Sequence, residues 1–166
     1  MRQREAAFVD SGAWIALALI RGPLHGNARG QWDILLGAGS KLYTPIPVVI
    51  ETFTFLERNT HRDVALAWKE SIHLPGLVEI LPCELSALEK SWQYFQRDDL
   101  HKLLAVDATS FAIMNLARIL VAVMFDHYFF AGAFDLWHNR CALSEGRQSQ
   151  ERNCSSLLPP TNDRER

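Results

Sequence analysis

LLAVDATSFAIMNLARILVAVMFDHYF, residues 103–129, is the stretch from which the rest of the chain can be read. Asp107, with Thr109 and Ser110 just behind it, marks a helix N-terminus. From Ala108 to about Arg118 the run is almost wholly apolar apart from small hydroxyls, Asn115 and the closing Arg118 itself, which predicts a well-buried helix. Residues 119–125, ILVAVMF, are rich in β-branched types and predict a strand buried on both faces. About eleven helical residues travel roughly 16 Å, and six or seven strand residues return roughly 20–23 Å. Asp126 thus comes back to the level at which Asp107 started, and two carboxylates share one edge.

The same grammar runs through the preceding residues. Residues 6–9 form a short apolar strand ending in Asp10, followed by Ser11, Gly12 and an apolar helix over 13–20 that Arg21, Gly22 and Pro23 stop. A second helix covers 28–36, with Trp32, Leu35 and Leu36 on one side and Gly37 and Gly39 closing it. A strand at 41–44 leads through Pro45-Ile46-Pro47 into a helix that turns Val49, Thr52, Phe53 and Leu56 inward and carries Glu51 in its first turn. Residues 63–73 predict a helix with Val64, Ala67, Trp68 and Ile72 at core spacing, and 77–81 a strand. A further helix, 84–96, turns Leu85, Leu88, Trp92 and Phe95 inward. Trp14, Trp32, Trp68 and Trp92 all fall at core spacing. Short apolar strands alternating with amphipathic helices specify an α/β fold whose parallel sheet is covered on both faces.

Bulk properties narrow the class. At 166 residues, 48% hydrophobic and net charge −2, the chain is one domain with a sizeable core and no global basic charge. Three cysteines without CxxC spacing argue against a zinc site or a disulfide framework and for a reducing cytoplasm. No apolar run is long enough for a membrane span. Residues 1–137 hold the periodic pattern. Residues 138–166, rich in charge, Ser, Asn and Pro, predict a disordered tail.

Four acids occupy equivalent places: Asp10, Glu51, Asp107 and Asp126. Each alone has an ordinary explanation as a cap, a dipole partner or a turn residue. Together they fall on the edge where parallel sheets bind ligands. Clustered carboxylates repel unless a cation joins them, and hard oxygen ligands suit Mg²⁺ or Mn²⁺. Such a site activates water for in-line attack on a phosphodiester. The six histidines show no ligand spacing, with His127 singled out only by its neighbour Asp126. Arg21, Arg29, Lys41 and Arg118 are candidates for phosphate contacts, although solvated surface explains each singly.

FVDSGAWIAL, PVVIETFTFL, VDATSFAIM and MFDHYF, in this order and spacing, resemble the PIN-domain family, in particular the VapC-type toxin ribonucleases. The resemblance spans residues 7–134. It implies a three-layer α/β/α fold with a central parallel sheet, and a Mg²⁺- or Mn²⁺-dependent endoribonuclease leaving 5′-phosphate and 3′-hydroxyl ends. It also implies an RNA substrate, a homodimer and a cognate antitoxin that holds the enzyme inactive. By match, Asp10, Glu51, Asp107 and Asp126 surround the metal, and Ser11 and Thr109 are the small polar positions that orient ligands or water. The chain departs from the family pattern with His127 and Tyr128 where Arg and His are frequent, and with Arg118 where a Gly closes the helix. Leu120 and Val121 replace positions that are commonly polar. Two competing classes are a PIN-like module that binds without cutting and a phospho-acceptor receiver domain. The latter needs a second acid near Asp10 and a late Lys, and none follows Lys102.

Overall fold

The computed structural model describes residues 5–100, 103–124 and 135–136. Along the chain run β1 (Ala6–Val9), α1 (Ser11–Ala18), α2 (His25–Gly37), β2 (Lys41–Pro45), α3 (Ile46–Asn59), α4 (Arg62–Ile72), β3 (Val78–Leu81) and α5 (Leu85–Ser91). A 3₁₀ turn (Trp92–Gln96), α6 (Ala105–Ala117), β4 (Val121–Val123) and β5 (Asp135–Leu136) follow. The strands form one sheet in the order β3-β2-β1-β4-β5, with every described pairing parallel. This is the expected α/β/α architecture, with one strand more than the sequence pattern predicts. Two residues are too short for a hydrophobic period, so β5 leaves no such signal. No helix among the described residues is long and apolar enough to cross a membrane.

β1 is central, and its position explains its composition. It pairs with β2 through Phe8↔Tyr43 and with β4 through Val9↔Val123, so helices cover it above and below. Ala7, Phe8 and Val9 are fully buried, and with Phe111, Leu35, Leu56, Ile72 and Met114 they form the core. Three of the four tryptophans assigned to the core are there. Trp14 meets Trp32 edge-on at 5.1 Å between ring centroids and Trp68 at 6.1 Å, tying α1 to α2 and α4.

The fourth, Trp92, is 50% exposed, and with it the predicted inward face of the 84–96 helix fails. The Ser91 hydroxyl donates to the Leu88 carbonyl at 2.6 Å, where the α-helix gives way to the 3₁₀ turn. Ala87, Ser91 and Tyr94 face inward instead, and Leu85, Leu88 and Phe95 are exposed. In a 3₁₀ turn residues three apart lie in line. Trp92 and Phe95 accordingly pack on each other outside, 5.9 Å apart.

Smaller differences fall at the margins of helix faces whose centres are as expected. In α3 Val48, Thr52 and Leu56 are buried, with Val49 and Phe53 at the margin. In α4 Ala65 replaces Ala67 in the core, and in α2 Leu36 is exposed while Gln31 is buried. β4 covers Val121–Val123 where a strand over 119–125 is expected: Ile119 is used to close α6, Leu120 is exposed, Met124 follows the strand, and residue 125 lies outside the described residues. That closure has two bonds, Arg118 N–H to Asn115 O and Ile119 N–H to Met114 O, with Arg118 left-handed at φ 55°. The turn for which the family resemblance leads one to expect Gly is thus made with Arg118. The end of α2 is closed the same way by Gly39, at φ 67°.

Candidate active site

Asp10 is the best-defined of the candidate residues. It leaves β1 with extended backbone (ψ 164°) and caps α1, its Oδ2 accepting from the Gly12 N–H at 3.3 Å. Its own N–H donates to the Val123 carbonyl at 3.1 Å, and its carbonyl accepts the Trp14 N–H at 3.1 Å. A cap needs one carboxylate oxygen. The other, Oδ1, is buried with no hydrogen-bond partner among the described residues, on a side chain only 5% exposed. Burial, then the negative charge of Asp107 and more weakly that of Glu51, push the Asp10 carboxyl up to about 7. The N–H groups of Ser11 and Gly12 oppose this without cancelling it.

Asp107 sits in the first turn of α6 and is 8% exposed. It is not the cap that the sequence pattern suggests. The helix begins two residues earlier, after Leu104, so Asp107 is enclosed in a buried run to Met114. Glu51 is half-buried in the second turn of α3, not the first, because the helix already starts at Ile46. Ser11 opens α1, half-buried beside Asp10. Thr109 is buried, and its hydroxyl donates to the Ala105 carbonyl at 2.5 Å, which leaves its oxygen free only to accept. Asp126, His101, His127, His138 and Tyr128 lie outside the described residues. His25 and His73 donate through Nδ1 to the carbonyls of Ala16 and Lys69, structural uses in keeping with their lack of ligand spacing.

Among the described residues no three His, Cys, Asp or Glu side chains converge closely enough to hold a metal by themselves. Asp10 and Asp107 nevertheless suit a hard cation. Mg²⁺ keeps several waters and needs only one or two carboxylates. A cation there would take up the orphaned Asp10 oxygen and offset the repulsion from Asp107. Two further buried hydroxyls without partners among the described residues, Thr52 on α3 and Ser110 on α6, are one and three positions from Glu51 and Asp107. Sequence reasoning missed Thr44, a fully buried residue bonded to both Trp14 and Val9. In a strand its β-branched side chain looks like ordinary propensity, so no signal marks it.

Residues 7–135 match the PIN domain. The chain belongs to the PIN-domain family. It is 32% identical over 127 residues to the 23S rRNA-specific endonuclease VapC20 of Mycobacterium tuberculosis, a match covering 76% of this chain and 94% of the relative. The crystal structure of M. tuberculosis VapC20, described as a sarcin–ricin loop cleaving toxin, superposes with a TM-score of 0.68 over 77% of this chain and 95% of that one. VapBC2 from Rickettsia felis, solved bound to a promoter DNA fragment, shares the fold at a TM-score of 0.59 and 9% identity, covering 79% of this chain and 96% of that one. The strand order of this PIN domain also separates it from the receiver class, whose doubly wound sheet runs 2-1-3-4-5.

Proposed function

We propose that this PIN domain is a Mg²⁺- or Mn²⁺-dependent endoribonuclease, the toxin of a toxin–antitoxin pair, working in the cytoplasm as a homodimer until its antitoxin binds. The observation that carries the catalytic part is the buried, unpartnered Oδ1 of Asp10 set within electrostatic reach of Asp107. The kinship with VapC20 supports RNA as substrate, with the sarcin–ricin loop of 23S rRNA as the first target to try.

In this reading Asp10 and Asp107 hold the cation, Asp126 completes the ligand set, and Glu51 adds to the shell or positions the attacking water. The cation, when bound, lowers the pKa of a water and neutralises charge developing on the phosphate. The protein's work is placement. Capping by the Gly12 N–H fixes Asp10 Oδ2 and leaves Oδ1 for ligation. Burial of Asp107 keeps its carboxylate from exchanging partners with solvent. Half-burial of Glu51 leaves it room to orient a water.

The test is cleavage of a 23S rRNA fragment containing the loop, and of an unrelated RNA, with Mn²⁺ or EDTA. Cutting with Mn²⁺ that EDTA and Asp10→Asn both abolish is the expected result. Cutting that survives EDTA contradicts the metal reading, and binding without cutting would make the chain a non-catalytic PIN-like module.

A further inference from the structure

Asp10 is held by more than its own cap. The peptide linking Val9 to Asp10 is gripped from both neighbouring strands. On the β4 side its N–H donates to the Val123 carbonyl at 3.1 Å. On the β2 side its carbonyl, that of Val9, accepts the Thr44 hydroxyl at 3.1 Å. The β1–β2 register runs to Phe8↔Tyr43, so a side chain serves the carbonyl one step beyond.

A third residue holds the same hydroxyl from its acceptor side. Trp14 Nε1 donates to Thr44 Oγ1 at 3.1 Å, and an indole N–H can only donate. The Thr44 hydroxyl must therefore accept from Trp14 and spend its single hydrogen on Val9. Trp14 in turn binds the Asp10 carbonyl through its backbone N–H. The result is a closed circuit from Asp10 to Trp14, to Thr44, to Val9 and back to Asp10 along the chain. Val9 and Thr44 are fully buried and Trp14 nearly so, so no water competes for these bonds.

We propose that Thr44 is a positioning residue for Asp10, its hydroxyl fixing the peptide plane from which the ligating carboxylate is launched, with the Trp14 indole N–H anchoring the hydroxyl oxygen. The role rests on the metal-dependent nuclease reading above. It concerns a residue that touches neither cation nor RNA, so its loss acts on placement and not on substrate binding. Small misplacement of a reacting group costs rate out of proportion to its size. Loss of a group that orients a metal ligand typically costs ten-fold or more in metal affinity.

The experiment compares wild type, Thr44→Val, Thr44→Ser and Trp14→Phe, each assayed well below its own melting temperature. Thr44→Val keeps the shape and deletes the hydroxyl. It should lower kcat for RNA cleavage roughly ten-fold with KM nearly unchanged, and weaken Mn²⁺ binding, read by electron paramagnetic resonance of free Mn²⁺, by a similar factor. Thr44→Ser should restore both to within about two-fold, because the hydroxyl is back. Trp14→Phe leaves the Thr44–Val9 bond possible but removes the indole N–H that anchors the hydroxyl oxygen, and should fall between, which decides the matter if Thr44→Val does not fold. A Thr44→Val protein that melts lower yet cuts and binds Mn²⁺ like wild type would reduce Thr44 to a structural role and overturn the proposal. If Thr44→Val does not fold, wild-type kcat and Mn²⁺ affinity in Trp14→Phe would overturn it equally. Wild type that fails to cut RNA counts against the nuclease reading; Mn²⁺ affinities then still decide the positioning role, and equal values overturn it.

Discussion

Asp10 and Glu51 are both among the acids proposed to serve the cation, yet the molecule treats them differently. Asp10 is fixed through its N–H, its carbonyl and one carboxylate oxygen, and the strand carbonyl before it is fixed as well. Glu51 stands half-buried on the second turn of α3, which starts at Ile46 directly after β2. One acid is built into the scaffold before any cation arrives. The other is left to adjust. A centre made of one rigid and one compliant carboxylate fits a task in which the ion must stay put while a water or a phosphate oxygen is exchanged beside it.

The widest gap between the two should appear in cleavage. Asp10→Asn and Asp107→Asn are each expected to lower kcat by about a thousand-fold, and the double variant to be little worse, since the two work as a unit. Glu51→Gln is expected to cost about ten- to a hundred-fold, the range for a group that assists the attacking water. Single-turnover rates with Mn²⁺ check the ranking, and a Glu51 variant as inactive as the Asp10 variant would erase the distinction.

Stability against pH should sharpen it. The Asp10 carboxyl is pushed up to about 7 in the folded chain from 3.8. Between those values the folded state holds a proton that the unfolded state has lost. Stability of the metal-free protein therefore falls as pH rises through that window and levels off above it. The full loss is on the order of 4 kcal/mol. Denaturant melts in EDTA from pH 4 to 8 should show this slope in wild type and in Glu51→Gln, and lose most of it in Asp10→Asn.

A smaller effect separates scaffold from chemistry. Arg118 closes α6 in the left-handed region that Gly39 occupies at the end of α2. A residue other than Gly pays about 1 kcal/mol there. Arg118→Gly should raise the melting temperature by about 3 °C and leave cleavage unchanged. A loss of activity in that variant would give Arg118 a place in substrate contact instead.

How much of this could be read from the residues depended on whether one pattern or two competed for them. The β1–Asp10–α1 corner was legible because four apolar residues followed by an Asx cap have one reading. Asp107 was legible as an acid at the head of its helix but not as an interior one, since two residues of helix ahead of it carry no cap signal. The 84–96 segment misled because its leucines and aromatics share a plausible face, while the Ser91 back-bond at the change to the 3₁₀ turn is a local hydroxyl contact that apolar spacing does not register. Thr44 could not be found at all, because its function lies in two bonds to residues thirty and thirty-five positions away.

The central claim is that Asp10 and Asp107 together hold a divalent cation, and thermal denaturation tests it most directly. Wild type and Asp10→Asn would each be melted in EDTA and in saturating Mn²⁺. A ligand bound only by the folded state at one hundred times its dissociation constant stabilises by about 2.7 kcal/mol. For a domain of this size that is a rise of very roughly 5–12 °C in wild type. Asp10→Asn, which retains a capping oxygen but loses a ligating charge, should match or exceed wild type in EDTA and gain little from Mn²⁺. Wild type that does not shift, or a variant that shifts as far as wild type, would mean that Asp10 caps a helix and does nothing more.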